Sequence, residues 1–171
     1  MAEKVYSIDI DAPVKTVWDE VTSTGRVQRH MFDCVLDHCD PGKKYLWHDK
    51  PRKHVFVRGE IVESTPPSGN NAGRLVQTFK FTTLPDDYSL VTWDFIALGP
   101  ARTKVTVTHT RLDPEGKTIT RIDGGWPSIL KALKSVCETG NVPLKTRLMY
   151  FMMRNMSFVL PKSTRIEQHQ D

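Results

Sequence analysis

Near the start of the chain, "KVYSIDID" alternates Tyr6, Ile8 and Ile10 with Val5, Ser7 and Asp9, the two-residue period of a half-buried strand. The period then changes. In "APVKTVWDEVT", Val14, Val17, Trp18 and Val21 recur at three and four, which predicts a helix with Pro13 at its first turn. Gly25 closes that helix, and a shorter one is expected over Arg26 to Phe32.

From residue 43 to 112 the chain reads as strands and turns. "KKYLWH", "HVFVRGEIVES", "GRLVQTFKFT", "SLVTWDFIAL" and "RTKVTVTHTRL" are rich in β-branched and aromatic residues. The segments between them, such as "TPPSGNNAG" and "LPDDY", carry turn chemistry. Consecutive strands with short connections predict an antiparallel meander. Val91, Trp93, Phe95 and Ala97 share one strand face, as do Val105, Val107 and His109 on the next strand.

A helical period returns in "GGWPSILKALKSVCETG". Trp126, Leu130, Leu133 and Cys137 step by four, three and four, and Ile129 and Val136 widen the stripe. Pro127 is expected in the first turn, and Gly140 as the terminator. The pattern predicts an α+β protein in which a curved antiparallel sheet of about six strands wraps a long C-terminal helix. A cup of that kind leaves room for a ligand between helix and sheet.

The 171 residues suit one domain. A net charge of +4 permits an acidic partner without requiring one. The start has no apolar signal-peptide core, so cysteines 34, 39 and 137 are expected as reduced thiols in the cytoplasm.

"IDAPVKTVWDEVT", "RGEIVESTPPSGNNAGRLVQTFKF", "TKVTVTHTRL" and "GGWPSILKALKSVCETG" together resemble the AHSA1-like branch (activator of Hsp90 ATPase homologue) of the START/Bet v 1 (SRPBCC, helix-grip) superfamily. The most specific element is Gly125, Trp126, Ile129, Leu130, Leu133 and Lys134, followed by Glu138, Thr139 and Gly140. The resemblance covers about Val5 to Gly140, placing the domain at 1–140 and an extension at 141–171. It implies a cup for a ligand and brings no shared catalytic triad, metal site or cofactor.

The expected ligand is a small, largely apolar molecule such as a lipid, isoprenoid or aromatic metabolite. Phe79, Trp93, Trp126, Leu130 and Leu133 are its expected walls, and His109 its polar contact. The bland alternatives are core packing for the aromatics and a hydrogen-bonded rim position for the histidine. Two other functions stand beside carriage: a cyclase or dehydratase using His109 as acid or base, and an Hsp90-type chaperone factor. The chaperone reading is the weaker expectation, since these 171 residues are expected to hold no companion domain like that of the eukaryotic activator.

Other motifs are set against plainer readings. His30, Cys34, His38 and Cys39 are a metal-like set, but their segment looks extended and lacks a second Cys/His pair, so no metal is expected. Basic and aromatic residues interleave in "KKYLWHDKPRKH", which reads as a solvated hairpin rather than a nucleic-acid site. Arg58 and Glu60 are placed on the outer face of their strand, because Val55, Val57, Gly59 and Ile61 form the more apolar set.

In the extension, Leu144, Leu148, Phe151, Met152 and Val159 make one helical stripe, and Met149, Met153, Met156 and Leu160 a second. One stripe is expected to cover the cup. The other is left for a homodimer through 144–160, a membrane surface or a partner protein, unless the whole helix packs within the monomer.

Overall fold

The computed structural model describes residues 1–69, 71–155 and 159–169. The elements in chain order are β1 (Ala2–Ile10), α1 (Val14–Thr22), β2 (Val27–Gln28), β3 (Cys34–Leu36), β4 (Lys44–His48) and β5 (Val55–Thr65). They continue with β6 (Gly73–Phe81), β7 (Ser89–Gly99), β8 (Arg102–Leu112), α2 (Lys117–Thr139) and α3 (Leu144–Asn155). Among the described residues, eight strands form one antiparallel sheet in the order β1-β8-β7-β6-β5-β4-β3-β2. It is the expected curled sheet gripping a long helix, with two more strands than the sequence suggested.

Alternation sets which side chains point inward. Tyr45 and Trp47 of β4, Val57 and Ile61 of β5, Leu75, Gln77 and Phe79 of β6, and Val91, Trp93 and Phe95 of β7 are buried. Arg58 and Glu60 take the opposite phase on β5, where Arg58 lies over the Tyr88 ring. Gly59 is required at its inward position, since a Cβ there would sit 1.9 Å from the Thr78 carbonyl oxygen and 2.7 Å from the Tyr45 ring. That gap lets Tyr45 cross its neighbouring strand and donate to the Thr78 carbonyl at 2.8 Å.

The expected helix over residues 26–32 is replaced by β2 and a turn. Gly25 takes a φ of 72° and donates to the Leu36 carbonyl, steering the chain onto β3. Gln28, fully buried, donates its amide to the Val21 and Ser23 carbonyls and so caps the end of α1. A side chain committed to α1 in that way favours an extended local backbone.

α2 starts earlier than expected, so Pro127 lies inside the helix rather than in its first turn. Asp123, whose carbonyl loses its i+4 donor to that proline, is a solvent-exposed position. The N-terminus of α2 is held from a distance: the Asp86 carboxylate accepts from the Thr118 backbone N–H. The buried face is Ile122, Trp126, Ile129, Leu130, Leu133 and Val136. Gly140 ends it in the left-handed conformation, at φ 73°.

α3 packs on the body through Tyr150, whose ring meets Phe32 edge-on at 5.7 Å. Arg154 reaches Asp33 at 3.6 Å. The first expected stripe of α3 faces outward, and Met156 of the second lies outside the described residues. Beyond α3 the chain returns to the sheet. Thr164, fully buried, bonds His54 Nδ1 at 3.0 Å, and Ile166 donates its backbone N–H to the Lys53 carbonyl.

Candidate functional site

The six residues expected to line a ligand site come together between α2 and the sheet. Phe79, Trp93, His109, Trp126, Leu130 and Leu133 are each at most 3% exposed. Their register explains the meeting: Leu75 pairs with Trp93 and Trp93 with Val107, while Gln77 pairs with Val91 and Val91 with His109. α2 lies across this patch and sets Trp126 edge-on to Trp93 at 5.3 Å and tilted to Phe79 at 6.1 Å. Trp47 meets Phe79 at 6.2 Å, so the aromatic cluster runs from β4 to α2.

His109 is held on both sides. The Trp126 indole N–H donates to Nδ1 at 3.0 Å, and since that nitrogen must accept, the ring proton belongs on Nε2. Nε2–H then donates to Ser89 Oγ at 2.6 Å, and the Ser89 hydroxyl donates onward to the Phe79 carbonyl at 3.0 Å. Burial lowers the pKa of the imidazole to about 4, so it is neutral at physiological pH. Both nitrogens are occupied by protein groups. The polar contact expected of His109 is therefore turned to holding Trp126, and the histidine sits in the interior rather than at a rim.

Another residue, which the sequence reading passed over, has free polar capacity. Gln77 is fully buried, and among the described residues neither its amide nitrogen nor its amide oxygen has a hydrogen-bond partner. It stands on the inward face of β6, between Ile61 of β5 and Val91 of β7. The buried indole nitrogens of Trp93 and Trp47 are likewise unpartnered. Trp93 is diagonal to Gln77 across the β6–β7 pair, and diagonal neighbours lie about 7–8 Å apart, within reach of long side chains. The signal was present in "RLVQTFKF": Gln77 is in phase with Leu75 and Phe79.

The metal-like set of the N-terminal half disperses. His30 is fully buried with Nδ1 3.5 Å from Glu20 Oε1, long for a hydrogen bond but close enough for an ion pair. Burial works to raise the Glu20 carboxyl, yet His30, Arg26 and Arg29 outweigh it and hold the group below its ordinary value. Cys34 points to the Phe32 carbonyl, Cys39 to the Ser64 hydroxyl, and His38 is exposed. Among the described residues no three His, Cys, Asp or Glu side chains gather as a metal site. In the basic hairpin, Tyr45 and Trp47 point inward and are buried.

Comparison with known proteins fits this architecture. The family model described as activator of Hsp90 ATPase homolog 1-like protein matches residues 11–138. The chain belongs to that family. The AHSA1 match ends just before Gly140, leaving α3 and the C-terminal segment outside it. No curated protein matches the chain.

Solved structures share the fold. An HSP90 activator from Plasmodium falciparum, PFC0360w, is 19% identical with a TM-score of 0.58, over 93% of this chain and 96% of that one. The Aha1 dimer from Colwellia psychrerythraea is 12% identical with a TM-score of 0.65, over 82% and 98%. CalU16 from Micromonospora echinospora is 18% identical with a TM-score of 0.60, over 92% and 86%. Identities this low show a common fold and leave the chemistry to this chain's own residues.

Proposed function

We propose that this AHSA1-family protein binds a small, largely apolar molecule carrying a hydrogen-bonding oxygen, between α2 and the sheet, and does so as a binding or carrier protein. The observation that supports this reading is Gln77, whose whole amide is buried and without a partner among the described residues. An amide kept from water without a partner costs a few kcal/mol, about 1–3 by mutational measures. Interiors retain such groups where a guest or an ordered water completes them. The indole N–H of Trp93, diagonal to Gln77 across β6 and β7, is a donor only, so it favours a guest with a carbonyl, ether or hydroxyl oxygen. Phe79, Trp93, Trp126, Leu130 and Leu133 supply its apolar surroundings, and His109 positions Trp126.

The geometry supports binding over a cyclase or dehydratase. A general base needs a nitrogen free to take the substrate's proton, and both nitrogens of His109 are engaged. Association with Hsp90 would follow the family name, and the features of the interior do not bear on it.

Native mass spectrometry of the freshly purified full chain tests the reading, with Gln77→Leu in parallel. The expected result is a co-purifying small molecule on the wild type that is reduced on the variant. A wild type free of bound mass, together with a Gln77→Leu protein that melts higher, would refute it. A wild type free of bound mass whose Gln77→Leu variant melts lower would assign the amide to internal water and refute it equally.

A further inference from the structure

Among the described residues, one face of α3 has no partner. At roughly 100° per residue, Leu144, Leu148, Phe151 and Met152 fall within an arc of about 100°. These four are 80%, 59%, 56% and 52% exposed. Tyr150, the one buried residue of the helix among those described, lies on the far side of the helix from them. The charges are arranged about the stripe. Arg147 and Arg154 follow one edge and Lys145 the other, while the helix carries no Asp or Glu. A groove of about 460 Å³ runs beside the first edge, lined by Leu148, Phe151 and the arginines 29, 147 and 154, with Asp33 as the carboxylate among its described lining residues. That carboxylate is already paired with Arg154.

We propose that this face of α3 docks on an anionic phospholipid bilayer. An apolar stripe edged by basic side chains is the pattern of a helix lying in the membrane interface: the stripe enters the acyl boundary while arginine and lysine stems rise to the headgroups. With 12 residues the helix is about 18 Å long, against a hydrocarbon core of about 30 Å, so it lies on the bilayer. No helix among the described residues is long and apolar enough to cross a membrane. The stripe is presented from a fixed base. Tyr150 against Phe32 holds the helix itself, and Thr164 on His54 holds the chain that follows it.

Charge decides between a bilayer and a second copy of the chain. A two-fold pairing through this face would bring Lys145, Arg147 and Arg154 of one copy toward the same cations of the other, with no carboxylate on either helix to meet them. An anionic lipid surface takes the same charges favourably. The proposal stands independently of what the interior binds.

Flotation of the full chain with vesicles tests it, using phosphatidylcholine alone and phosphatidylcholine with about one-third phosphatidylserine. The expected result is binding to the mixed vesicles, little to phosphatidylcholine alone, and loss as salt rises toward about 0.5 M. Lys145→Gln/Arg147→Gln is expected to weaken binding about 25-fold, roughly fivefold for each basic residue removed. Leu148→Glu/Phe151→Glu, at exposed positions, is expected to abolish binding with unchanged melting. Absence of binding to the mixed vesicles in about 0.1 M salt would overturn the proposal, as would binding that survives both double variants. So would a wild-type dimer in solution that Leu148→Glu/Phe151→Glu converts to a monomer, since the face would then be covered by a second copy.

Discussion

The Trp126 indole nitrogen lies 3.0 Å from Nδ1 of His109, tying α2 to the middle of β8 through two fully or almost fully buried rings. The bond requires a neutral imidazole whose Nδ1 is an acceptor. In the fold the ring gains its proton only near pH 4, whereas in the unfolded chain it does so near ~6.5. Between those values the unfolded state binds a proton that the native state does not, so stability must fall as pH falls from about 6.5 to about 4. Above that window the contribution is constant, and its ceiling is on the order of 3 kcal/mol. In His109→Gln, the amide oxygen can accept from Trp126 and the amide N–H can donate to Ser89, but the side chain has no proton to gain. Urea unfolding at pH 7 and pH 4.5 is expected to show a smaller acid loss in the variant than in the wild type. Equal losses would remove His109 as the titrating group.

The sequence alone located the interior correctly where it depended on period. Trp93, Val107 and Phe79 are inward because a strand that buries one face cannot change phase without exposing its whole apolar set. What escaped it depended on contacts distant along the chain. The first turns of α2, "KTITRIDGG", hold β-branched residues and two glycines, poor helix formers that mask its true start. They are helical because the buried Ile122 and the carboxylate of Asp86, 32 positions from the Thr118 it bonds, outweigh local preference. Gln28 likewise reads as a surface residue until its bonds to the end of α1 are seen. Nor does alternation say whether an inward polar group is partnered. His109 and Gln77 occupy equivalent inward phases on β8 and β6, yet one is saturated and the other is not.

Gly59 is expected to tolerate no side chain. A methyl group there would overlap the Thr78 carbonyl at 1.9 Å, and that oxygen belongs to the paired strand backbone. Relief means opening the β5–β6 ladder or displacing Tyr45 from its bond to the same carbonyl. Gly59→Ala should cost at least about 1–3 kcal/mol in denaturant unfolding, as overpacked sites do. A loss below about 0.5 kcal/mol, the range of neutral surface changes, would show that the strand yields freely there.

The thiols are expected to be inert in the native protein. Cys34 and Cys39 are buried, and burial pushes both thiols above their ordinary range. Cys137 is half-buried, and burial, with Glu20 and Glu138 nearby, raises it to about 12. Because the thiolate is the nucleophile, a thiol reagent at pH 8 should modify none of the three cysteines rapidly, and all three after unfolding. Rapid labelling of one native thiol would show that its surroundings open on the timescale of the reagent.

The C-terminal segment adds stability as well as a surface, and two of its residues should carry most of that contribution. Tyr150 is 3% exposed and packs edge-on against Phe32. Tyr150→Ala should cost about 3–5 kcal/mol, the range for losing a buried aromatic ring. Thr164 makes two bonds, to His54 Nδ1 and to the Pro161 carbonyl at 2.7 Å. Thr164→Val keeps the shape and removes both, for a loss of about 1–3 kcal/mol if the partners stay dry. The two sites share no partner, so their effects should add within about 0.5 kcal/mol in the double variant. Differential scanning calorimetry should then show one cooperative transition shifted down in every variant. A separate low-temperature transition in Tyr150→Ala would instead mean that α3 unfolds as its own unit, with the rest of the fold intact.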